Sequence, residues 1–564
     1  MLDKSSFRKT VFAFLLPMAI QNLINVAISS TDVIMLGRYS EVTLSASSLA
    51  SQVQFILILL LFGIGSGATV LTAQYWGKRD IKSIEKVMAI SIKVAFTLSL
   101  FFFIFAFFFS RNAMRLFTND EATILEGIKY LKIVSFSYLT TSISIVYLVT
   151  MRSVERVVIS TVTYATSFVS NFIINYLLIF GNFGFPKLGI RGAAIGTLIA
   201  RLIELGIVFY YNSKNHHFVS IKWKYIKSLD PILKKDFLKY SSPTMMNELL
   251  WASGTATGVA ILGRLGNSIV AANSITSVVR QLAMVFAFGL ANTAAIMVGK
   301  EIGKKDFHTA EIYSKKLLLY SFLSSLLGVA LLLIAKPFII KKFSLNIEVE
   351  NYLNFTLNIL FYYIPLQSIS AVLIVGVFRA GGDTKFALIA DIFPLWCGSV
   401  LISAFAAFYL NLPTKVIYLL IMSDEIIKQP LIIWRYRSKK WINNVTRELK
   451  GGHMEKGYVQ IYTGNGKGKT TAALGLITRA VGHNFKIFLC QFLKGRDYGE
   501  LHTLQKFETV TYERYGRGVF IKSKEFVTDE DKKLMREGYE SLKNALLSGK
   551  FDIVIADEIL GTLR

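Results

Sequence analysis

The segment PMAIQNLINVAISSTDVIMLGR (17–38) decides the fold, because a related segment, PTMMNELLWASGTATGVAILGR (243–264), follows 226 residues later. Both segments begin with proline and end in Gly-Arg. The same shift aligns further pairs without a gap: Ala46 with Ala272, Phe62 with Phe288, Gly63 with Gly289, Gly77 with Gly303 and Asp80 with Asp306. Identical residues at one constant shift over this length are not expected by chance, so the sequence predicts two halves with a common fold.

Each half contains six apolar segments, and each segment is long enough to cross a bilayer as a helix. They lie near residues 11–36, 49–75, 88–110, 130–150, 157–182, 188–212, 240–262, 270–298, 313–338, 352–378, 384–410 and 413–434. Because six is an even number, the halves run in the same direction through the membrane, and parallel repeats place a substrate site between them. We predict an all-α polytopic membrane protein with twelve transmembrane helices as two parallel six-helix repeats, a first lobe at 1–222 and a second at 223–440.

Composition supports a membrane protein, since 53% of the 564 residues are hydrophobic and only 18% are charged. The net charge of +26 does not indicate nucleic-acid binding, because Lys and Arg collect on the cytoplasmic side of membrane proteins. Basic residues cluster after the second span, between the halves and after the eighth span, as in Lys78, Arg79, Lys234, Lys235, Lys300 and Lys304. We therefore expect a multi-pass protein of the cytoplasmic membrane with both termini in the cytoplasm.

Three carboxylates within apolar segments are the candidate coupling residues, since an intramembrane charge is costly and usually functional. Asp32 aligns with Gly258 in the repeat, so the fold itself does not require a carboxylate there. Asp391 lies mid-segment before a proline, and Glu248 lies one turn into its segment. These carboxylates could bind either H⁺ or Na⁺. Glu248 could also bind a small organic substrate, including a cationic one.

Two of these assignments have a structural alternative. Asp32 could pair with Arg38, and Glu248 could be an interfacial residue near a helix start. We expect Asp424 and Glu425 to form an ion pair with Lys428 one turn away. The glycine-rich GIGSGA (63–68) lies in an apolar span, which predicts close helix packing rather than a phosphate loop.

Several separate motifs resemble those of the multidrug and toxic compound extrusion (MATE) family, over residues from about 7 to 445. They are TDVIMLGR (31–38), AQYWG (73–77), NYLLIFGNFGFPKLGIRGAA (175–194), PTMMNELLW (243–251), GRLG (263–266), FRAGGDT (378–384) and SDEIIK (423–428). The resemblance implies antiport, in which a cation moving down its gradient drives export of an organic compound through a cleft between two six-helix lobes.

After a charged linker at 441–455, the composition becomes that of a soluble α/β unit, at 456–564. Strands are predicted near 459–462, 486–491 and 552–556, and a helix near 470–481. The loop TGNGKGKTT (463–471) precedes this helix and predicts ATP binding through Gly464, Asn465, Gly466, Lys467, Gly468, Lys469, Thr470 and Thr471. Thr470, with Asp557 or Glu558 at the end of FDIVIADE (551–558), would hold Mg²⁺.

The phosphate-binding loop has the particular form GKGKTT (466–471). Together with QFLKG (491–495) and the acidic strand, it resembles the sequences of the P-loop corrinoid adenosyltransferases. That resemblance implies ATP and a reduced corrinoid as substrates. Members of that family continue beyond the acidic strand, so we expect an unfinished sheet that binds ATP poorly or not at all and is not a competent enzyme. Cys397 and Cys490 are the only cysteines, so neither a disulfide framework nor a Cys-based metal site is predicted.

Three alternatives to drug export follow from the same sequence. The membrane part could be a lipid-linked sugar flippase of the wider superfamily, or it could move corrinoids or their precursors because of the attached domain. ATP hydrolysis by the tail is the least favoured source of energy, since the sequence contains no second nucleotide loop.

Overall fold

The structure is a computed structural model that describes residues 4–214, 218–343, 347–447, 459–464, 468–519 and 524–559. The side chains of residues 4–6, 25, 26, 29, 30, 32, 33 and 343 are not described. Contacts along the chain divide it into two compact units, Met1–Glu448 and Leu449–Arg564.

The described part of the first unit is almost entirely helical. Its first half contains α1 (Lys4–Tyr39), α2 (Glu41–Gly77), α3 (Ile81–Phe108), α4 (Ser110–Arg115), α5 (Glu121–Ser153), α6 (Val157–Phe180) and α7 (Ile190–Lys214). Its second half contains α8 (Trp223–Lys227), α9 (Pro231–Leu265), α10 (Asn267–Ala283), α11 (Val285–Gly303), α12 (Phe307–Phe343), α13 (Ile347–Ala371), α14 (Thr384–Phe393), α15 (Leu401–Phe408), α16 (Thr414–Ile421) and α17 (Asp424–Arg437). Two π-helical segments, Val372–Phe378 and Pro394–Val400, continue α13 and α14.

Nine helices in the described ranges are long and apolar enough to cross a membrane. The prediction of an all-α polytopic membrane unit is confirmed, whereas the total of twelve spans remains a prediction. The predicted eighth span (270–298) is interrupted at Met284, where α10 ends and α11 begins.

Glycines bring α2 into close contact with α9. A Cβ added to Gly67 would lie 2.2 Å from Oγ of Ser241, and one added to Gly63 would lie 2.6 Å from Cα of Met245. Small residues permit such close approach between membrane helices. The prediction that GIGSGA (63–68) is a packing motif is therefore confirmed.

Residues 441–447, here called the strap, hold together helix ends from both halves. The amide of Gln74 in α2 donates to the carbonyl oxygens of Ala380 (2.7 Å) and Asn443 (3.0 Å), and its Oε1 accepts from the N–H of Val445 at 2.8 Å. Nδ2 of Asn444 donates to the carbonyl of Ile302 in α11 at 2.9 Å. The first part of the predicted linker is thus bound to the membrane unit.

The two ends of the strap are anchored by a buried ring and an ion pair. Trp441 is fully buried and stacks on Tyr436, with 5.9 Å between the ring centroids. Arg447 pairs with Asp236 of α9 through two contacts, of 2.5 and 2.7 Å. Both contacts fix the strap to the second half, and the hydrogen bonds of Gln74 join it to α2 of the first half.

We expect Trp441→Ala to lower the stability of the membrane unit by about 3–5 kcal/mol, because truncating a buried tryptophan loses packing and leaves a cavity. Thermal unfolding of the detergent-solubilised full-length protein measures this change. Trp434→Ala is the matched control, since Trp434 is 56% exposed. An equal fall in Tm for the two variants would contradict the anchoring role of the strap.

The described part of the second unit is a small α/β fold. It contains α18 (Lys469–Val481), β1 (Ile487–Phe492), α19 (Gly499–Leu504), β2 (Val510–Tyr515), α20 (Asp529–Leu547) and β3 (Ile553–Asp557). The strands form a parallel sheet in the order β2-β1-β3, with Ile487 opposite Val510 and Ile553. β1 is buried at every position, as is typical of a central parallel strand.

The strand predicted at 459–462 was wrong, because the described residues 459–464 form no strand. The apolar residues suggested β structure, but a strand requires a hydrogen-bonded neighbour and a covered face. Val459 is 88% exposed and Ile461 is 74% exposed, so these side chains lack the covered face. β2 was not predicted.

Candidate functional site

Four charged side chains meet within the second half and form what we call the Lys428 cluster (Asp391, Asp424, Glu425 and Lys428). The Lys428 ammonium lies 2.9 Å from Asp391, 3.0 Å from Asp424 and 3.1 Å from Glu425. Lys428 is 1% exposed. The predicted pairing of Lys428 with Asp424 and Glu425 is confirmed, and Asp391 from α14 joins the same cluster.

Polar groups around the cluster leave some of its hydrogen-bonding capacity unused. Nδ2 of Asn247 in α9 donates to Asp391 at 2.7 Å, and the Tyr363 hydroxyl donates to Asp424 at 3.4 Å. Oδ1 of Asn247 and Oε2 of Glu425 are buried without a hydrogen-bond partner among the described residues. With every group ionised, three carboxylates face one ammonium, so the cluster has an excess of negative charge.

Glu248 belongs to a second ion pair, between α9 and the end of the π-helical segment that follows α13. Its Oε1 lies 3.0 Å from Nη2 of Arg379, and Nη1 of Arg379 donates to Oγ of Ser66 in α2 at 2.9 Å. Because α9 begins at Pro231, Glu248 lies well inside a helix, and the alternative of a residue near a helix start was wrong. The charge of Glu248 is thus paired with Arg379 in this structure, and its role in binding a cation or a cationic substrate stays a prediction.

A small cavity of about 40 Å³ lies between the halves and is bounded by α1, α2, α5, α11 and the chain around Arg379. Arg152 and Arg379 are its charged lining residues, and Ser66, Thr69, Ser153 and Asn292 are its other polar ones. None of the described residues that line it is Asp or Glu.

Asp32 lies in α1, but its side chain is outside the described residues. Among the described side chains, the structure brings together Asp391 with Asp424, Glu425 and Lys428, and Glu248 with Arg379.

The predicted ATP-binding loop of the second unit is described at its two ends. Gly464 and Gly468 have φ angles of 145° and 111°, which favour glycine, and Nζ of Lys469 donates to the carbonyl of Gly464 at 2.8 Å. Gly468 precedes the first residue of α18, so the loop leads into a helix N-terminus, which favours phosphate binding. The predicted residues Asn465, Gly466 and Lys467 lie outside the described residues.

The predicted Mg²⁺ ligands converge where α18 meets the end of β3. Oγ1 of Thr470 lies 3.1 Å from Oδ2 of Asp557, and Asp557 is 7% exposed. Nζ of Lys494 lies 2.7 Å from the same Asp557 oxygen and 2.9 Å from Oγ1 of Thr470. A threonine hydroxyl beside a carboxylate fits the Mg²⁺ of a P-loop nucleotide site, and the exposed Glu558 does not join this group.

Cys490 of β1 is not part of the predicted ATP and Mg²⁺ site. Burial raises the pKa of its thiol to about 12. The thiol therefore stays protonated at neutral pH, and a thiolate is the form that binds metals or acts as a nucleophile.

Thr470→Ala is expected to weaken Mg²⁺-dependent ATP binding by at least about tenfold, since it removes a group that fits the metal. Titration of the full-length protein with a fluorescent ATP analogue, with and without Mg²⁺, measures the change. Thr478→Ala is the control, because the Thr478 hydroxyl is exposed on α18 and donates to the carbonyl of Leu474. Equal, Mg²⁺-dependent affinity in both variants would exclude Thr470 from the site.

Comparison with known proteins places the membrane unit in a family. The sequence model of the MatE family matches residues 17–177 and 243–404, which is more than half of the chain. The chain belongs to the MATE family. The probable multidrug resistance protein NorM of Thermotoga maritima is 24% identical to this MATE chain over 444 residues, covering 77% of this chain and 93% of that protein. The Vibrio cholerae MATE transporter VcmN, solved as a point mutant, matches with a TM-score of 0.70 and 18% identity, over 77% of this chain and 97% of that chain.

The tail of this MATE chain matches a different family. The model of the ATP:corrinoid adenosyltransferases BtuR/CobO/CobP covers residues 455–564. The corrinoid adenosyltransferase of Escherichia coli is 33% identical over 139 residues, covering 24% of this chain and 66% of that enzyme. The MATE chain is therefore a multidrug-type transporter with a corrinoid adenosyltransferase-like domain, and both predicted resemblances are confirmed.

Sequence reasoning did not single out Arg152, Arg379 or Lys494 of this MATE chain as site residues. Arg379 is the arginine of FRAGGDT (378–384), and Arg152 follows the apolar segment near 130–150. A basic residue at the end of an apolar segment usually indicates the membrane edge, so its place in a cavity wall was not evident. Lys494 lies in QFLKG (491–495), and only the fold brings it to Asp557.

Proposed function

We propose that the membrane unit is an antiporter that uses a Na⁺ or H⁺ gradient to export organic compounds. The Lys428 cluster is the main observation that supports this proposal. Its excess negative charge within a membrane helix bundle is costly unless a proton or a metal cation offsets it. Asp391 is therefore the proposed coupling residue of the second half, Asp32 that of the first half, and Glu248 contributes through its pair with Arg379.

We also propose that the unit has twelve spans in two parallel six-helix repeats. Helix starts recur at a shift of 226 residues, as for Glu41 and Asn267, Ile81 and Phe307, and Glu121 and Ile347. Asp80 and Asp306 cap equivalent helices, each accepting a hydrogen bond of 3.0 Å from the N–H three residues later. The family model matches twice with starts at 17 and 243, which supports the same repeat.

The proposed location is the cytoplasmic membrane, with both termini in the cytoplasm. The support is the excess of Lys and Arg after α2, after α11 and between the halves, because such residues favour the cytoplasmic side. The second unit would then have access to cytoplasmic ATP. We propose that it binds ATP with Mg²⁺ through Thr470 and Asp557, and that it takes a corrinoid as its second substrate.

Gradient-driven transport in inverted membrane vesicles without ATP tests the antiport proposal. Fluorescent organic cations and anions are offered in turn, and a Na⁺ or a H⁺ gradient is imposed. We expect one of the two ions to drive accumulation in the vesicles, and we expect Asp32→Asn to abolish it. Transport that requires ATP, or that continues unchanged in Asp32→Asn under the driving gradient, would overturn the proposal.

A further inference from the structure

Lys428 occupies the place where the carboxylates of its cluster meet. Its ammonium lies 2.9 Å from Asp391, 3.0 Å from Asp424 and 3.1 Å from Glu425, and the side chain is only 1% exposed. An ammonium has three N–H donors, so each donor has one carboxylate oxygen within reach. The centre of the cluster is therefore taken by a cation that belongs to the protein itself.

A metal ion would have to compete with this ammonium. A metal cation such as Na⁺ needs several oxygen ligands around it, and carboxylates are among the usual ones. Here the carboxylate oxygens already surround Nζ of Lys428, and the ammonium would repel a second cation beside it. Because the cluster is buried, water screens this repulsion only weakly. A proton, by contrast, adds to a single oxygen and needs no coordination sphere.

Three further charged side chains face the cluster from the elements packed around it. Glu248 of α9 and Arg379 pair with each other at 3.0 Å, and the charges of both act on the carboxylate of Asp391. The guanidinium of Arg280 in α10 lies over the ring of Tyr363, 5.5 Å from its centroid. The hydroxyl of Tyr363 in turn contacts the cluster at Asp424.

The charges of this region are out of balance by one. With every group ionised, the cluster and its three charged neighbours comprise four carboxylates and three cations. All side chains of α9, α10, α13, α14 and α17 are described, so no undescribed side chain on these helices enters the count. An excess charge within a membrane helix bundle is costly, and one proton cancels it.

The cluster also has more hydrogen-bond acceptors than donors. Oδ1 of Asn247 and Oε2 of Glu425 are buried without a hydrogen-bond partner among the described residues. Asn247 is 3% exposed, and its Nδ2 donates to Asp391 at 2.7 Å, so its amide is directed into the cluster. A carboxylate only accepts hydrogen bonds, whereas a protonated carboxyl group also donates one. A bound proton thus supplies a donor where acceptors are in surplus.

We propose that the cation taken up at the Lys428 cluster is a proton rather than a metal ion, and that Lys428 is the residue that excludes Na⁺ from it. The proton comes from water on one side of the membrane, forms an O–H bond with a carboxylate oxygen, and returns to water on the other side. Because the carboxylates share one ammonium, this proton belongs to the cluster and not to one residue. The inference rests on the proposed antiport for its role in transport, and it narrows the coupling ion of this site to H⁺.

The unsubstituted protein tests the exclusion of Na⁺ directly. Thermal unfolding of the detergent-solubilised full-length protein is followed in NaCl and in choline chloride at equal ionic strength, and the same pair of measurements is made on Asp391→Asn. We expect the difference in Tm between the two salts to be the same in both proteins, because no Na⁺ binds at the cluster. A Na⁺-specific rise in Tm that Asp391→Asn abolishes would overturn the proposal.

Removal of the ammonium is expected to create a Na⁺ site. In Lys428→Met, three carboxylates lack their cation, so NaCl should raise Tm by about 1–2 °C or more relative to choline chloride. Lys300→Met is the control, since it removes a lysine that pairs with Glu155 outside the cluster. No Na⁺ effect in Lys428→Met, or an equal one in Lys300→Met, would overturn the role of Lys428. If Lys428→Met cannot be purified, the comparison with Asp391→Asn decides.

Proton uptake by the cluster is measured by infrared difference spectroscopy of the full-length protein between mildly alkaline and mildly acidic pH. We expect a protonated-carboxyl band that Asp391→Asn lacks, because this variant removes the excess negative charge. Glu311→Gln should keep the band, since Glu311 pairs with Lys315 and Lys439 outside the cluster. An equal band in the unsubstituted protein and Asp391→Asn, or no band in either, would overturn the proposal.

The outcomes separate this inference from the proposed antiport, because both binding measurements are made without an ion gradient. If the cluster binds a proton but no gradient drives transport, the antiport proposal fails and the proton site stands. If a Na⁺ gradient drives transport and the Na⁺-specific rise in Tm depends on Asp391, the antiport stands and this inference fails.

Discussion

Replacement of Lys428 with methionine is expected to destabilise the membrane unit by about 3–5 kcal/mol. The substitution keeps a side chain of similar length but leaves Asp391, Asp424 and Glu425 without their common ammonium partner. Three carboxylates close together in a buried place repel one another and cannot be solvated. Thermal unfolding of the full-length protein in detergent measures the loss.

The control for this prediction is Lys300→Met. Lys300 also forms an ion pair, at 2.6 Å from Glu155, but both side chains are 26% exposed, so solvent weakens the pair. We expect a much smaller loss of stability there. Adding Asp391→Asn to Lys428→Met should recover part of the stability, because one unpaired charge is removed. Similar Tm values for Lys428→Met and Lys300→Met would contradict the account of the cluster.

Asp391→Asn alone is expected to abolish gradient-driven transport while the protein still folds. The amide keeps the size of the side chain, and Lys428 keeps Asp424 and Glu425 as partners. The substitution lowers the negative charge of the cluster, so the gain from binding a proton or a metal cation is lost. Transport in ATP-free vesicles measures the effect, with the Tm of the variant as a check on folding.

Glu311→Gln is the matched control for Asp391→Asn. Glu311 pairs with Lys315 and Lys439 outside the cluster, so removal of its charge should leave transport unchanged. Undiminished transport by Asp391→Asn would remove Asp391 from coupling. Equal losses in both variants would show that the transport defect is not specific to the cluster.

The sequence predicted the polytopic helical unit because the cost of exposing polar backbone to lipid leaves few alternatives for long apolar segments. The break between α10 and α11 was not predicted, because the apolar run continues across Met284 without proline or glycine. Local composition could not show that the helix is interrupted there.

The candidate site was only partly accessible to sequence reasoning. Spacing along α17 predicted the pairing of Lys428 with Asp424 and Glu425, since residues three and four apart share a helix face. No local rule places Asp391 of α14 beside them, or Arg379 beside Glu248, because these contacts depend on how the helices pack. In the second unit, the loop and the acidic strand indicated Thr470 and Asp557, but Lys494 reaches them only through the order of the sheet.

The central claim, antiport driven by an ion gradient, is tested most directly by counter-movement in proteoliposomes that contain the purified full-length protein and no ATP. A gradient of the transported organic dye is imposed, and an internal Na⁺ or pH indicator is followed. The account predicts that dye movement drives Na⁺ or H⁺ in the opposite direction, and that Asp32→Asn abolishes both signals. Dye movement without ion counter-movement, or movement only after ATP is added, would contradict the account.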